Sequence, residues 1–191
     1  MVYTFETDRL LLRFFELSDA SRVQDLAGNE EVARTTLSIP HPYPDGAAEQ
    51  WIVNIRQFSE KGERYAFAMV KKEDGLLIGT ISIGISQRHK HAELGYWVGK
   101  PYWGQGYATE AARRILQFGF EDLDLNRIFA AAMTTNPGSY QVMRKIGMKE
   151  EGIFRQHIFT WGKYEDLVFY GMLKADYLER DGSQEGDDDH T

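Results

Sequence analysis

The sequence has no cysteine among its 191 residues. That removes a disulfide scaffold, a Cys-ligated zinc and any covalent mechanism through a thiolate, and it fits a reducing compartment. Proline is scarce, and three of the five prolines crowd into Ile39-Pro40-His41-Pro42-Tyr43-Pro44. Each proline fixes φ and removes a backbone donor, so this stretch is no helix interior. No apolar run approaches the ~20 residues of a membrane span. The opening Met1-Val2-Tyr3-Thr4-Phe5-Glu6 lacks the basic start and apolar core of a signal peptide. Excess positive charge is missing as well: 22 Lys and Arg stand against 29 Asp and Glu, for a net charge of −7. Nucleic-acid binding by counterion replacement is therefore not expected. A soluble, cytoplasmic protein without nucleic-acid or membrane partners is.

What is present is ordinary globular composition, 42% hydrophobic and 27% charged. The length suits one domain, expected over 1–178. Residues 179–191 end in Glu185-Gly186-Asp187-Asp188-Asp189 and read as a disordered acidic tail.

Periodicity places the elements. Arg9–Phe14 reads as a strand, and Ser18-Asp19 as the cap of a helix that Gly28-Asn29 stops. Ala48, Trp51, Ile52, Ile55 and Phe58 recur at helical spacing. The period then changes to two. Tyr65–Val70, Leu77–Ile85 and Ala92–Val98 form an antiparallel meander, with Ile81, Ile83 and Ile85 on one face. A glycine-rich connection leads into a helix carrying Ala108, Ala111, Ala112 and Ile115. A strand over Arg127–Met133, a short helix with Val142, Met143 and Ile146, and a hairpin around Trp161-Gly162-Lys163 complete the chain. The fold class is α/β, a mixed sheet with helices interspersed.

The stretch Tyr96 to Glu110 carries the chemistry. A strand ends, Gly104 and Gly106 permit unusual φ values and close approach of a ligand, and a helix begins at once. The free N–H groups of that first turn make a seat for a phosphate or pyrophosphate. The same pattern also serves as a plain turn. A Walker loop would need Gly-Lys-Ser/Thr where Gly106-Tyr107-Ala108 stands, and a dinucleotide fingerprint would need glycine in place of Thr109.

Trp103-Gly104-Gln105-Gly106-Tyr107-Ala108 resembles the Arg/Gln-x-x-Gly-x-Gly/Ala acetyl-CoA signature of the GNAT N-acetyltransferase superfamily. Glu6-Thr7-Asp8-Arg9-Leu10-Leu11-Leu12-Arg13 is similar to the opening of its RimJ/RimL-type branch, which acetylates N-termini of ribosomal proteins. Ala92–Val98 and the run from Asn136-Pro137-Gly138-Ser139 to Met143-Arg144-Lys145-Ile146-Gly147-Met148 resemble that branch too.

The resemblance implies a GNAT fold, in which the antiparallel meander is followed by central strands that splay between Ala92–Val98 and Arg127–Met133, with helices on both faces. It implies acetyl-CoA as cosubstrate. Tyr96, Trp97 and Val98 are expected to pair with the pantetheine amides. The amides of Gly104, Gln105, Gly106, Tyr107, Ala108 and Thr109 are expected to hold the pyrophosphate, and Asn136 and Ser139 to contact the arm near the sulfur. Four positions depart from the pattern. Trp103 replaces the signature's Arg or Gln; Met143 stands where many relatives carry a Tyr general acid; Arg144 and Met148 replace Glu and Phe.

Without cysteine, direct attack of an amine on the thioester is the economical mechanism. An α-amine, with a pKa of ~7.7–8.0 against ~10.4 for lysine, needs only a modest base. Glu93 is the candidate base, with a structural ion pair or a solvated carboxylate as the alternative. Ser139 is the candidate donor to the thiolate, and Asn136-Pro137-Gly138-Ser139 also suits a turn, with Ser139 as the cap of the next helix. His89 and His91 lack the partners of a metal site, so no metal is expected. Trp97, Tyr102, Trp103 and Tyr107 are expected to line the core or the CoA pocket, and the His41-Pro42-Tyr43 loop to face the acceptor. The acceptor is expected to be a protein N-terminus. A small amine (polyamine, amino sugar or toxin) and a non-catalytic acyl-CoA-binding module are the alternatives. The apolar C-terminal hairpin and the habits of the branch point to a homodimer.

Overall fold

The computed structural model describes residues 3–184. Eight strands, β1 (Thr4–Glu6), β2 (Leu10–Phe14), β3 (Arg64–Lys71), β4 (Leu77–Ser86), β5 (His91–Val98), β6 (Arg127–Met133), β7 (Lys149–Thr160) and β8 (Lys163–Leu173), form one sheet in the order β1-β2-β3-β4-β5-β6-β8-β7. The helices are α1 (Ala20–Ala27), α2 (Glu30–Arg34), α3 (Ala47–Glu60), α4 (Tyr107–Gln117), α5 (Pro137–Lys145) and α6 (Lys174–Gln184).

Alternation along β4 gives the sheet two different faces. Ile81 and Ile83 are fully buried and share a core with Ala111, Ala112 and Ile115 of α4. On the other face, Ala66, Ala68 and Val70 of β3 pack with Val23 and Leu26 of α1 and with Ile52 and Ile55 of α3. The spacing of Ala48, Ile52 and Ile55 puts all three on the buried side of α3. Helices thus cover both faces, as expected.

The expected meander is β3-β4-β5, antiparallel throughout. The β5–β6 pair is parallel and joins only His91–Glu93 to Arg127–Phe129. Beyond it β6 follows β8 over its whole length. Leu94–Val98 and Ala130–Met133 therefore diverge, and the sheet opens into a V on which the site is built.

Several boundaries differ from expectation. β1 and α2 were not anticipated. Gly28-Asn29 does more than end α1: the Asn29 side chain accepts from the N–H groups of Glu31 and Val32 and starts α2. Asp19 gives no side-chain cap to α1. Its carboxylate turns back to the Glu16 N–H at 2.8 Å and takes both Nη atoms of Arg13 at 2.7 and 2.8 Å. At the C-terminus α6 continues across the expected boundary at 178, and residues 185–191 of the expected tail lie outside the described residues. Among the described residues no helix is long and apolar enough to cross a membrane.

Candidate active site

The loop after β5 turns through Gly104 (φ 73°) and Gly106 (φ 83°), a left-handed region that other residues enter only under strain. A Cβ on Gly104 would meet nothing within 4 Å, and one on Gly106 would stand 3.5 Å from Arg9 Nη2. The space above the loop is open. Helix α4 begins without a side-chain cap, and Glu110 N–H is the first to return, to Gly106 O. The N–H groups of Tyr107, Ala108 and Thr109 therefore lack an intrahelical acceptor. Together with the macrodipole they make an anion seat that fits a pyrophosphate.

A network missed in the sequence reading holds this seat in place. Glu110 accepts from Thr7 Oγ1 at 2.6 Å, Arg9 N at 2.8 Å and Arg9 Nε at 2.7 Å. Arg9 also donates to Gln105 O at 3.0 Å and lies over the Tyr107 ring. Burial alone would raise the Glu110 carboxyl, but the Thr7 and Arg9 donors outweigh it and hold the group below the usual carboxylate range. The signal was the Thr7-x-Arg9 motif, whose physical partner lies a hundred residues away.

Two cavities meet at the V. The first, about 430 Å³, is lined by every residue expected at the cofactor except Gln105: Tyr96, Trp97, Val98, Gly104, Gly106, Tyr107, Ala108, Thr109, Asn136 and Ser139. The Gln105 side chain instead donates to Pro101 O at 3.0 Å. The second cavity, about 500 Å³, is walled by Thr35–Pro40, Trp51, Arg64, Glu93 and Met143. Both include Thr35, Thr36, Tyr96, Trp97 and Ser139. Glu93 and Ser139, the two expected catalytic residues, thus border one cavity, with the Glu93 side chain exposed in it. Of the proline loop, Pro40 and Tyr43 line this cavity.

At the junction, Tyr96 hydroxyl donates to Ser139 O at 2.8 Å and lies 3.1 Å from Ser139 Oγ. A phenol has one proton, so when Tyr96 donates to the carbonyl, Ser139 Oγ donates in the second contact. Burial pushes Tyr96 up to about 12, against the opposing hydrogen bond from Ser139, so the hydroxyl is protonated near neutrality. Asn136 Oδ1 accepts from Ser139 N at 3.2 Å and caps α5, while Nδ2 donates to Thr35 O at 3.0 Å. The cap of α5 is therefore Asn136 and not the expected Ser139, which stands within the first turn and supplies the N–H that Asn136 accepts; Asn136 also lines the first cavity.

Residues 9–149 match the family described as acetyltransferase (GNAT) domain. The chain belongs to the GNAT acetyltransferase family. It is 39% identical over 175 residues to “Putative ribosomal N-acetyltransferase YdaF” of Bacillus subtilis (strain 168), covering 89% of this chain and 94% of that protein. Among solved structures, a “Probable acetyltransferase” matches with a TM-score of 0.82 at 30% identity over 91% of this chain and 98% of the other. A spermidine N-acetyltransferase from Vibrio cholerae, in complex with CoA and spermine, shares the fold with a TM-score of 0.77 at 23% identity, over 88% of this chain and 98% of the other. Family and relatives make the protein an acyltransferase.

The departures from the GNAT pattern have local explanations. Trp103 Nε1 donates to Val98 O at 2.6 Å, closing the end of β5 where an Arg or Gln is common. Arg144 Nε donates to Tyr170 hydroxyl at 2.9 Å. Met143 and Met148 are both core residues. At Met143 the family's frequent phenol is absent, but Tyr96 brings a phenol to the same junction from β5. Tyr96 was expected to act through its backbone alone; its hydroxyl was legible only once α5 lay beside it.

Proposed function

We propose that the protein transfers an acetyl group from acetyl-CoA directly to a primary amine, and that the acceptor is the α-amine of a protein N-terminus. The observation that carries this reading is the meeting of the two cavities at Tyr96 and Ser139. One leads to an uncapped helix start, the other to a carboxylate. The similarity to the Bacillus subtilis protein supports a ribosomal protein as the class of acceptor.

Acetyl-CoA, when bound, supplies an electrophilic thioester carbonyl. The amides of Tyr107, Ala108 and Thr109 hold its pyrophosphate, and the edge of β5 facing the V takes the pantetheine amides like an added strand. Glu93 accepts the proton as the amine nitrogen bonds to the carbonyl carbon. The C–S bond breaks; Ser139 hydroxyl turns its hydrogen from Tyr96 to the departing thiolate as a hydrogen bond, Tyr96 hydroxyl turns from Ser139 O to donate to Ser139 Oγ behind it, and the proton taken up by Glu93 balances the thiolate charge. No cysteine is available as a covalent stop.

The acceptor cavity favours an α-amine over a polyamine. Among the described residues, its only charged lining residues are Arg64 and Glu93. One carboxylate offset by one guanidinium does not complement a chain of cations. Mass spectrometry of short peptides incubated with acetyl-CoA tests the reading, and an acetyl group on the α-amine is the expected product. Glu93→Gln is expected to lower kcat roughly 100-fold or more near neutrality. Full activity in that variant rejects Glu93 as base. Acetylation of spermidine in preference to peptides rejects the acceptor assignment.

A further inference from the structure

Register places Arg64, Gly84, Glu93 and Phe129 in a single row across β3, β4, β5 and β6. Directly opposed residues point to one face, so Arg64 and Glu93 flank Gly84 on the acceptor side. Gly84 has no side chain, and Arg64 uses the gap. A Cβ there would stand 2.8 Å from Arg64 Nη2, 3.0 Å from Cζ and 3.3 Å from Nε, so the guanidinium lies flat across the glycine toward Glu93. The side chains nonetheless make no ion pair with each other, and neither has a hydrogen-bond partner among the described residues. Two opposite charges, exposed and unpaired on one side of the sheet, line the same cavity, where a ligand that carries both complements can meet them.

We propose that Arg64, seated on Gly84, binds the carbonyl or carboxylate oxygen next to the reacting amine and so selects α-aminoacyl acceptors. The inference rests on the acetyl-transfer reading above. Within that row Arg64 and Glu93 stand on strands two spacings apart, about 9.5 Å at the backbone, and Arg64 leans inward over Gly84 from that distance. An α-aminoacyl group carries a carbonyl oxygen on the carbon next to the one that bears its amine, so with its nitrogen at Glu93 it can turn that oxygen to the guanidinium fork of Arg64. A polyamine or simple alkylamine presents nothing to Arg64 and leaves that charge unanswered. Glu93 alone would favour any cation; Arg64 makes the pair selective.

The test compares kcat/KM for trialanine amide, free alanine and isopropylamine, followed by CoA thiol release, in wild type, Arg64→Ala, Arg64→Lys and Gly84→Ala. Taking each variant relative to wild type on the same acceptor cancels the difference in amine pKa. The ratio of trialanine amide to isopropylamine is expected to fall roughly 10- to 100-fold in Arg64→Ala, the loss of a charge-assisted hydrogen bond. A smaller fall is expected in Arg64→Lys, which keeps the charge without the fork. Gly84→Ala keeps the arginine but displaces it, and is expected to lower the same ratio. Kd for acetyl-CoA is expected to match wild type throughout. Free alanine following trialanine amide extends the clamp to carboxylates; following isopropylamine, it confines the clamp to peptide carbonyls. An unchanged ratio in Arg64→Ala, or a loss of acetyl-CoA affinity in parallel with it, overturns the proposal. Wild-type turnover of no acceptor at all, with acetyl-CoA bound, overturns the transfer reading instead and the clamp with it.

Discussion

Gly104 and Gly106 hold φ values of 73° and 83°, yet neither is crowded by the protein. Their glycine identity answers to the backbone and not to packing, and in the proposed cradle it leaves room for the ligand. Alanine at either position is expected to cost about 1–2 kcal/mol in left-handed strain, a fall in Tm of a few degrees at this chain length. It is also expected to weaken acetyl-CoA at least tenfold by calorimetry, because the methyl enters the open space above the first-turn amides. Unchanged affinity would contradict the cradle. Tyr96→Phe and Ser139→Ala are each expected to lower kcat about tenfold. The double variant is expected to be little worse than either if the two hydroxyls act as the proposed donor chain. The glycines were legible in the sequence as a loop feeding a helix. The phenol of Tyr96 was not, because its partner belongs to α5, forty-three residues on.

Among elements, α4 matters most, and its start is anchored by Glu110 to the β1–β2 turn. The Glu110 side chain is 16% exposed, and Glu110→Gln is expected to cost about 1–2 kcal/mol at neutral pH. The Glu110 carboxyl is depressed in the folded state. Its contribution is therefore complete above the unfolded value of about 4.3 and disappears as pH falls through the lower folded value. Tm of the wild type is expected to drop over that acid window more steeply than that of Glu110→Gln. Equal slopes would deny the network its role. Asp19, depressed by Arg13 and the Glu16 N–H against the opposing effect of burial, acts in the same window in both proteins and cancels in the comparison.

Strands with clean alternation were legible nearly to the residue, β6 fully so at Arg127–Met133. The three residues of β1 and five of α2 are too short to show a period. The V between β5 and β6 came from the family resemblance. Nothing local in Ala92–Val98 announces that pairing stops after Glu93.

For the whole molecule, the acceptor cavity is the least legible part, because Thr35–Pro40, Arg64, Glu93 and Met143 meet only through the sheet. Asn136 ties these regions together, bridging 101 positions to Thr35 O. Asn136→Ala removes a helix cap worth about 1 kcal/mol and loosens the wall that both cavities share. KM for acetyl-CoA and KM for the acceptor are expected to rise together in that variant. In Gly106→Ala only the acetyl-CoA value is expected to rise. A rise confined to one substrate in Asn136→Ala would contradict a shared wall.

The central claim is that the loop before α4 holds acetyl-CoA, and thermal melting tests it most directly. Wild type and Gly106→Val are melted alone and with saturating acetyl-CoA, CoA or ATP. A ligand that binds only the folded state raises stability by about RT ln(1 + [L]/Kd). The account predicts that acetyl-CoA and CoA raise Tm of the wild type, that ATP does not, and that folded Gly106→Val loses the shift. A wild type whose Tm neither CoA species moves would contradict it.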